Sequence, residues 1–109
     1  MTAMALKASS LRAQADTALE KAAENGRHWA QQDLRRWQRT IRRRAKRGYR
    51  SCDTFNLGLS LTGGLYALLG PDIGPAFMTA YADELRSLLG DGFTIDYSGH
   101  GGLLIHVSW

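Results

Sequence analysis

The sequence predicts an α+β fold: an antiparallel helix pair, then a strand, a helix and a β-hairpin that form a small, mostly antiparallel sheet with helices on one face. Three observations predict it. Apolar residues recur every three or four positions in the first half of the chain, a period of two follows Ser51, and a glycine-rich loop separates two strand-like segments near the C-terminus. At 109 residues and 44% hydrophobic, the chain is expected to be a single domain, 1–109, with 1–48 as the helical hairpin and 51–109 as the remainder.

The first predicted helix covers residues 3–24. Asn25-Gly26 predicts its end, because both residue types tolerate the left-handed backbone at a helix C-terminus. The segment is rich in alanine, the strongest helix former. Its apolar stripe consists of Met4, Ala8, Leu11, Ala15, Ala18 and Ala22.

The second predicted helix runs from about Arg27 to Arg47. Gly48 should end it, and Tyr49 could fold back on its last turn. Its apolar positions fall within an arc of about 80°, and a short connection to the first helix favours an antiparallel hairpin. The stripe consists of Ala30, Leu34, Trp37, Ile41 and Ala45.

The second half of the chain predicts one strand, one helix and a hairpin. Residues 55–61 alternate as a half-buried strand, and 65–69 fit either a helical turn or a strand. Pro75 is suited to the first position of a helix that ends at Gly90. That helix places Phe77, Ala80, Tyr81, Leu85 and Leu88 on one face, and segments 93–97 and 103–109 then form the hairpin.

The charge distribution is strongly uneven. Nine of the fourteen Lys and Arg residues lie between Leu34 and Cys52 with no carboxylate among them, whereas ten acidic residues face five basic ones elsewhere. Like charges at helical spacings of three and four repel, so this segment is expected to meet anions from another molecule. The predicted binding residues are Arg35, Arg36, Arg39, Arg42, Arg43, Lys46, Arg47 and Arg50.

Three interpretations of the cationic segment remain open. It is a solvated face, a surface for the nucleic-acid backbone, or a surface for an acidic protein. A membrane is not expected as partner, because the core requires the apolar stripe of the same helix. Trp29 and Tyr49, at the ends of the helix, could stack on a base or a guanidinium, whereas Trp37 should pack in the core. A homodimer through the first helix or the sheet edge is also open.

Catalytic and metal chemistry have little support in the sequence. The three histidines and Cys52 lack metal-ligand spacing, so no metal or cofactor is expected. A small hydrolase using Asp96, Ser98 and His100 in the hairpin is a remote alternative to a non-enzymatic protein. A single cysteine, no signal peptide and no apolar run long enough to span a bilayer together predict a cytoplasmic protein.

Residues 41–109 carry short motifs at turns and strand ends. They are Ala-Lys-Arg-Gly-Tyr-Arg-Ser at 45–51, Glu-Leu at 84–85, Leu-Leu at 88–89, Gly-Phe-Thr-Ile at 92–95 and Ile-His-Val-Ser-Trp at 105–109. In these the chain resembles small phage- or prophage-encoded accessory proteins that end in an Ile/Val-Ser-Trp strand. The resemblance implies a phage protein in the host cytoplasm, and it carries no catalytic residue over. The expected function is therefore docking on host machinery or its nucleic acid, including inhibition of host defence.

Overall fold

A computed structural model of the chain describes residues 6–54, 73–98 and 104–109. The predicted α+β class is confirmed, because two helices pack with a three-stranded antiparallel sheet. The predicted strand at 55–61 and the ambiguous segment 65–69 lie outside the described residues. The elements are α1 Ala8–Lys46, β1 Ser51–Asp53, α2 Ile73–Leu89, β2 Thr94–Ser98 and β3 Leu104–Ser108.

The predicted helix pair is wrong, because α1 is one continuous helix of 39 residues. Gly26, predicted to end the first helix, is buried within α1 and has no left-handed backbone. A Cβ atom at Gly26 would overlap the backbone carbonyl of Phe77 in α2. Glycine therefore serves here to bring two helices close together, a use that the sequence does not distinguish from a helix end.

The predicted end of α1 at Gly48 is confirmed. Gly48 has a φ of +86°, and its N–H donates to the carbonyl of Ala45 over 3.0 Å. The N–H of Tyr49 donates to the carbonyl of Arg44, also over 3.0 Å. These two bonds form a Schellman motif, which fixes the direction in which the chain leaves α1 toward β1.

Helices α1 and α2 share most of the core. Trp37 of α1 is fully buried, and Phe77, Tyr81 and Leu85 of α2 are at most 4% exposed. Ala22 and Ala30 of α1 complete this contact. The predicted end of α2 is also confirmed, since Gly90 has a φ of +88° and its N–H donates to the carbonyl of Arg86.

The sheet has the order β1-β3-β2, and the predicted hairpin of β2 and β3 is confirmed. Cys52, Val107 and Ile95 are directly opposite one another across the three strands, and all are buried against the helices. The adjacent row is polar and consists of Asp53, His106 and Asp96. One face of the sheet thus belongs to the core and the other carries polar side chains.

The first fourteen residues of α1, 8–21, extend beyond the core. All of their side chains are exposed except that of Leu19, which is half-buried, and Ala22 is the first buried residue. This segment is called the arm below. The predicted apolar stripe of the first helix was expected to pack on a second helix, but Ala8, Leu11, Ala15 and Ala18 are exposed, and Met4 lies outside the described residues.

The stripe predicted for residues 27–47 is confirmed in its middle. Ala30, Trp37 and Ile41 are buried and Leu34 is half-buried, whereas Ala45 is exposed. In the ranges 6–54, 73–98 and 104–109, no helix combines the length and the apolar character that crossing a bilayer requires.

Candidate anion-binding surface

The C-terminal half of α1 has one buried and one cationic side. Trp37, Thr40 and Ile41 point into the core. The opposite side presents exposed cations, which line a shallow depression together with the half-buried Gln38. This depression is called the arginine surface, and it is formed by Arg35, Gln38, Arg39, Arg42, Arg43 and Lys46.

No carboxylate of the described residues pairs with the arginine surface. The ion pair found among the described residues joins Arg86 to Asp83 over 2.9 Å and lies within α2. The side chain of Gln31 in α1 donates a hydrogen bond to the carboxylate of Glu84 in α2. Gln31 precedes the first cation of the arginine surface, Arg35, by four residues. Five positive charges therefore share one solvent-facing side of α1 without a described ionic partner.

This accumulation of charge costs stability. Arg35–Arg39, Arg39–Arg43 and Arg42–Lys46 are four residues apart, and each like-charged pair at this spacing costs about 0.2–0.5 kcal/mol. The carboxyl end of a helix attracts cations, which favours Arg43 and Lys46 in the last turn. That effect falls off within one turn, so it does not stabilise the positive charges of Arg35 and Arg39.

Arg36 has a different environment from the arginine surface. It lies near Asp33, whose carboxylate accepts a 2.8 Å hydrogen bond from the hydroxyl of Tyr81. Burial raises the pKa of Asp33, while the Tyr81 hydrogen bond and the charge of Arg36 act in the opposite direction. Part of the Arg36 charge thus compensates a carboxylate of the protein itself.

Arg44 fixes the turn after α1. Its Nε donates a 2.7 Å hydrogen bond to the carbonyl of Ser51, and its guanidinium lies 4.0 Å from the ring centre of Tyr49. Arg44 accordingly orders the connection between α1 and β1. Tyr49, predicted as a stacking residue, is 51% exposed but already has a guanidinium on one face of its ring.

The remaining predicted residues lie outside the arginine surface. Arg47 and Arg50 are exposed after the end of α1, and the Arg50 carbonyl accepts a hydrogen bond from the N–H of Trp109. Trp29 is 36% exposed and makes an edge contact with His28 at 6.1 Å between ring centres. The structure thus brings five of the eight predicted cations together and places the others outside this surface.

The polar side of the sheet is a second candidate site. Asp53, His106 and Asp96 lie at paired positions on β1, β3 and β2. Among residues 6–54, 73–98 and 104–109, however, no group of three His, Cys, Asp or Glu side chains could hold a metal ion. Asp96 is exposed in β2, and His100 of the hydrolase alternative lies outside the described residues.

Comparison with models of protein families, with curated proteins and with solved structures finds no match to the chain. The sequence periodicity predicted the position of the arginine surface on α1. Asp33 and Arg36 are three residues apart on α1, a spacing at which side chains are neighbours. The burial of Asp33 and the bond from Arg44 to the Ser51 carbonyl depend on tertiary structure, which helical spacing does not show.

Proposed function

We propose that the chain is a non-enzymatic binding protein that engages an acidic macromolecule through the arginine surface. The observation that carries this proposal is the grouping of five exposed cations on one side of α1 without an ion pair to the described residues. Four of the five are arginines. The planar guanidinium donates to phosphate or carboxylate in bidentate fashion, which favours an anionic partner over simple solubility.

The composition of the surface favours a nucleic-acid backbone as that partner. Among the described residues, no apolar side chain lines the depression, whereas protein–protein interfaces contain an apolar centre within a polar rim. From Arg35 to Lys46 the helix rises about 16 Å, and duplex DNA carries one charge per roughly 1.7 Å of its axis. Such a backbone offers more than enough phosphates for five cations.

Recognition of a particular base sequence is not expected from this surface. Arg and Lys donate to guanine edges as well as to phosphates, whereas Asn and Gln make bidentate contacts that are specific to adenine. Gln38 is the one Asn or Gln side chain that lines the depression in the described part of the chain. We therefore propose binding to the backbone with little sequence preference. The resemblance of residues 41–109 to phage accessory proteins supports a setting in which the acidic macromolecule belongs to a host cell.

Fluorescence anisotropy with a generic labelled DNA duplex tests the proposal. Arg39→Glu combined with Arg43→Glu should abolish binding, because each change replaces a phosphate contact with a repulsive charge. Lys7→Glu combined with Lys21→Glu is the matched control, since it alters the net charge equally at exposed positions away from the arginine surface. The control should retain most of the wild-type affinity.

Two results would change the proposal. Equal loss of duplex binding in the two double variants would show that net charge, and not this surface, governs binding. Absence of duplex binding, with recovery of one stoichiometric acidic protein by the wild type but not by the Arg39→Glu, Arg43→Glu variant, would assign the surface to a protein partner.

A further inference from the structure

The arm of α1 carries an apolar face that the described residues leave largely open. Leu11 is 46% exposed, Ala15 is exposed and Leu19 is half-buried. At about 100° per residue, this face is in line with the buried side of α1 that packs on α2 at Ala22, Gly26 and Ala30. The same helix side is thus covered over one part of its length and open over about 21 Å of the arm.

The boundary between the covered and the open part lies at Ala23. Pro75 and Ala76, in the first turn of α2, line one groove with Ala23. The described residues of α2 begin at Ile73, close to this level. Among the described residues, the open face therefore begins at the level of this groove.

We propose that the open face pairs with the same face of a second copy of this chain, antiparallel and about a twofold axis near Ala15. This register places Leu11 opposite Leu19 of the second copy, and Ala15 opposite Ala15. A symmetric pair needs a face that is complementary to itself, which this order of residues provides. Alanine on the axis allows the two helices to approach closely, and leucines on either side fill the space.

The charges beside the face match this antiparallel arrangement. Arg12 and Asp16 flank the apolar positions on one side of the arm. Antiparallel pairing about Ala15 brings Arg12 of each chain beside Asp16 of the other, so two attractive pairs form across the axis. A parallel arrangement in register would place Arg12 next to Arg12, and opposite charges at such flanking positions select the orientation of paired helices.

The exposed side chain of Leu6 also finds a place in this arrangement. Leu6 is 82% exposed, the highest value among the large apolar residues that the structure describes. In the proposed register it reaches the level of Ala23 and Glu24 of the second copy. The groove there has an apolar lining from Ala23, Ala76 and Ala80, and it would shield this leucine from water.

Cysteine cross-linking of the full chain tests the pairing and its orientation. Ala15→Cys should form a disulfide-linked dimer under mild oxidation, because the two positions meet on the axis. Ala13→Cys is the matched control, since it is equally exposed but on the opposite side of the arm, and it should remain monomeric. The native Cys52 is 2% exposed and should not contribute.

A mixture of two variants distinguishes the orientations. Leu11→Cys mixed with Leu19→Cys should give the mixed cross-linked dimer if the helices are antiparallel, whereas parallel helices would link each variant to itself. In sedimentation equilibrium, Ala15→Glu should weaken the dimer about 100-fold, because two like charges then meet at the axis. Ala13→Glu should leave the association unchanged.

Two outcomes would overturn the pairing. One is a wild-type chain that stays monomeric at millimolar concentration, and the other is a dimer that resists Ala15→Glu. The arginine surface lies on the other half of α1, so duplex binding by a strictly monomeric protein would remove this inference and leave the proposed function intact. A dimer without affinity for polyanions would remove the proposed function and leave the pairing of the arms intact.

Discussion

The indole Nε1 of Trp37 donates a 2.9 Å hydrogen bond to the hydroxyl oxygen of Tyr81. The same hydroxyl donates to Asp33 over 2.8 Å, so one oxygen joins two residues of α1 to α2. No buried side-chain nitrogen or oxygen of the described residues lacks a partner. This relay holds α1 in a fixed rotation, with Trp37 inward and the arginine surface outward.

Replacement of Tyr81 by Phe tests the relay. The change removes the acceptor of the buried Trp37 N–H and the donor to Asp33 while it retains the aromatic ring. A buried polar group left without a partner costs about 1–3 kcal/mol, and we expect the free energy of unfolding in urea to fall by this amount. Tyr49→Phe, at an exposed ring, should cost far less. Equal effects of the two changes would argue against the relay.

Asp33→Asn tests the cost of the partly buried carboxylate. Burial raises the pKa of Asp33 above its ordinary 3.8, so the folded state favours the protonated form. The wild type should therefore lose stability as the pH rises through the pKa of the folded state. The asparagine variant, which cannot ionise, should be more stable than the wild type at pH 7. The difference should vanish below the ordinary pKa of the carboxyl group.

Urea unfolding at several pH values between 3 and 7 measures this difference. The prediction concerns its sign as well as its pH dependence. A variant that is less stable than the wild type at neutral pH would show that the Tyr81 hydrogen bond and the Arg36 charge outweigh the cost of burial.

Gly26→Ala tests the reason why α1 continues through a glycine. Alanine is the better helix former by about 1 kcal/mol, so helix propensity alone predicts a gain in stability. The structure predicts a loss of about 1–3 kcal/mol, because the added methyl group would overlap the Phe77 carbonyl and force α1 and α2 apart. Thermal unfolding decides between the two signs, and a higher melting temperature would contradict the close approach.

Cys52 should be an unreactive thiol in the native protein. It is 2% exposed in β1, and burial raises its pKa to about 11, with an opposing contribution from Arg44 and a further rise from Asp53. A thiol reagent at pH 8 should therefore modify it only as fast as the protein opens. The exposed thiol of Ala13→Cys provides the rapid reference in the same experiment, and equally rapid modification of Cys52 would contradict its burial.

The sequence predicted the structure best where a sequence pattern is typical of one structure only. Glycine after a periodic segment predicted the ends of α1 at Gly48 and of α2 near Gly90, and alternation around a glycine-rich loop predicted the hairpin. Gly26 misled because glycine serves both a helix end and a close helix contact, and its neighbour Phe77 is 51 positions away in the sequence. The hydrogen bond between Tyr81 and Asp33 was not predictable for the same reason, because these residues are 48 positions apart.

The candidate site shows the same division. Helical periodicity predicted seven cations on the side opposite the apolar stripe, and five of them line the arginine surface. The seven are Arg35, Arg36, Arg39, Arg42, Arg43, Lys46 and Arg47. The spacing of Asp33 and Arg36 allows their contact, but it could not show that packing against Tyr81 half-buries the carboxylate. The bond from Arg44 to the Ser51 carbonyl depends on the turn after α1 and was hidden as well. The sequence also could not show that the face of the arm is exposed, because its apolar stripe has the pattern of a helix that packs in a core.

The salt dependence of duplex binding tests the central claim most directly. Five phosphate contacts predict that log Kd changes with log salt concentration with a slope of about 4.5. Arg39→Gln should reduce this slope by about 0.9, because one contact is lost, whereas Lys21→Gln on the arm should leave it unchanged. A slope near zero for the wild type, or the same slope for the wild type and Arg39→Gln, would contradict an arginine surface that meets an external polyanion.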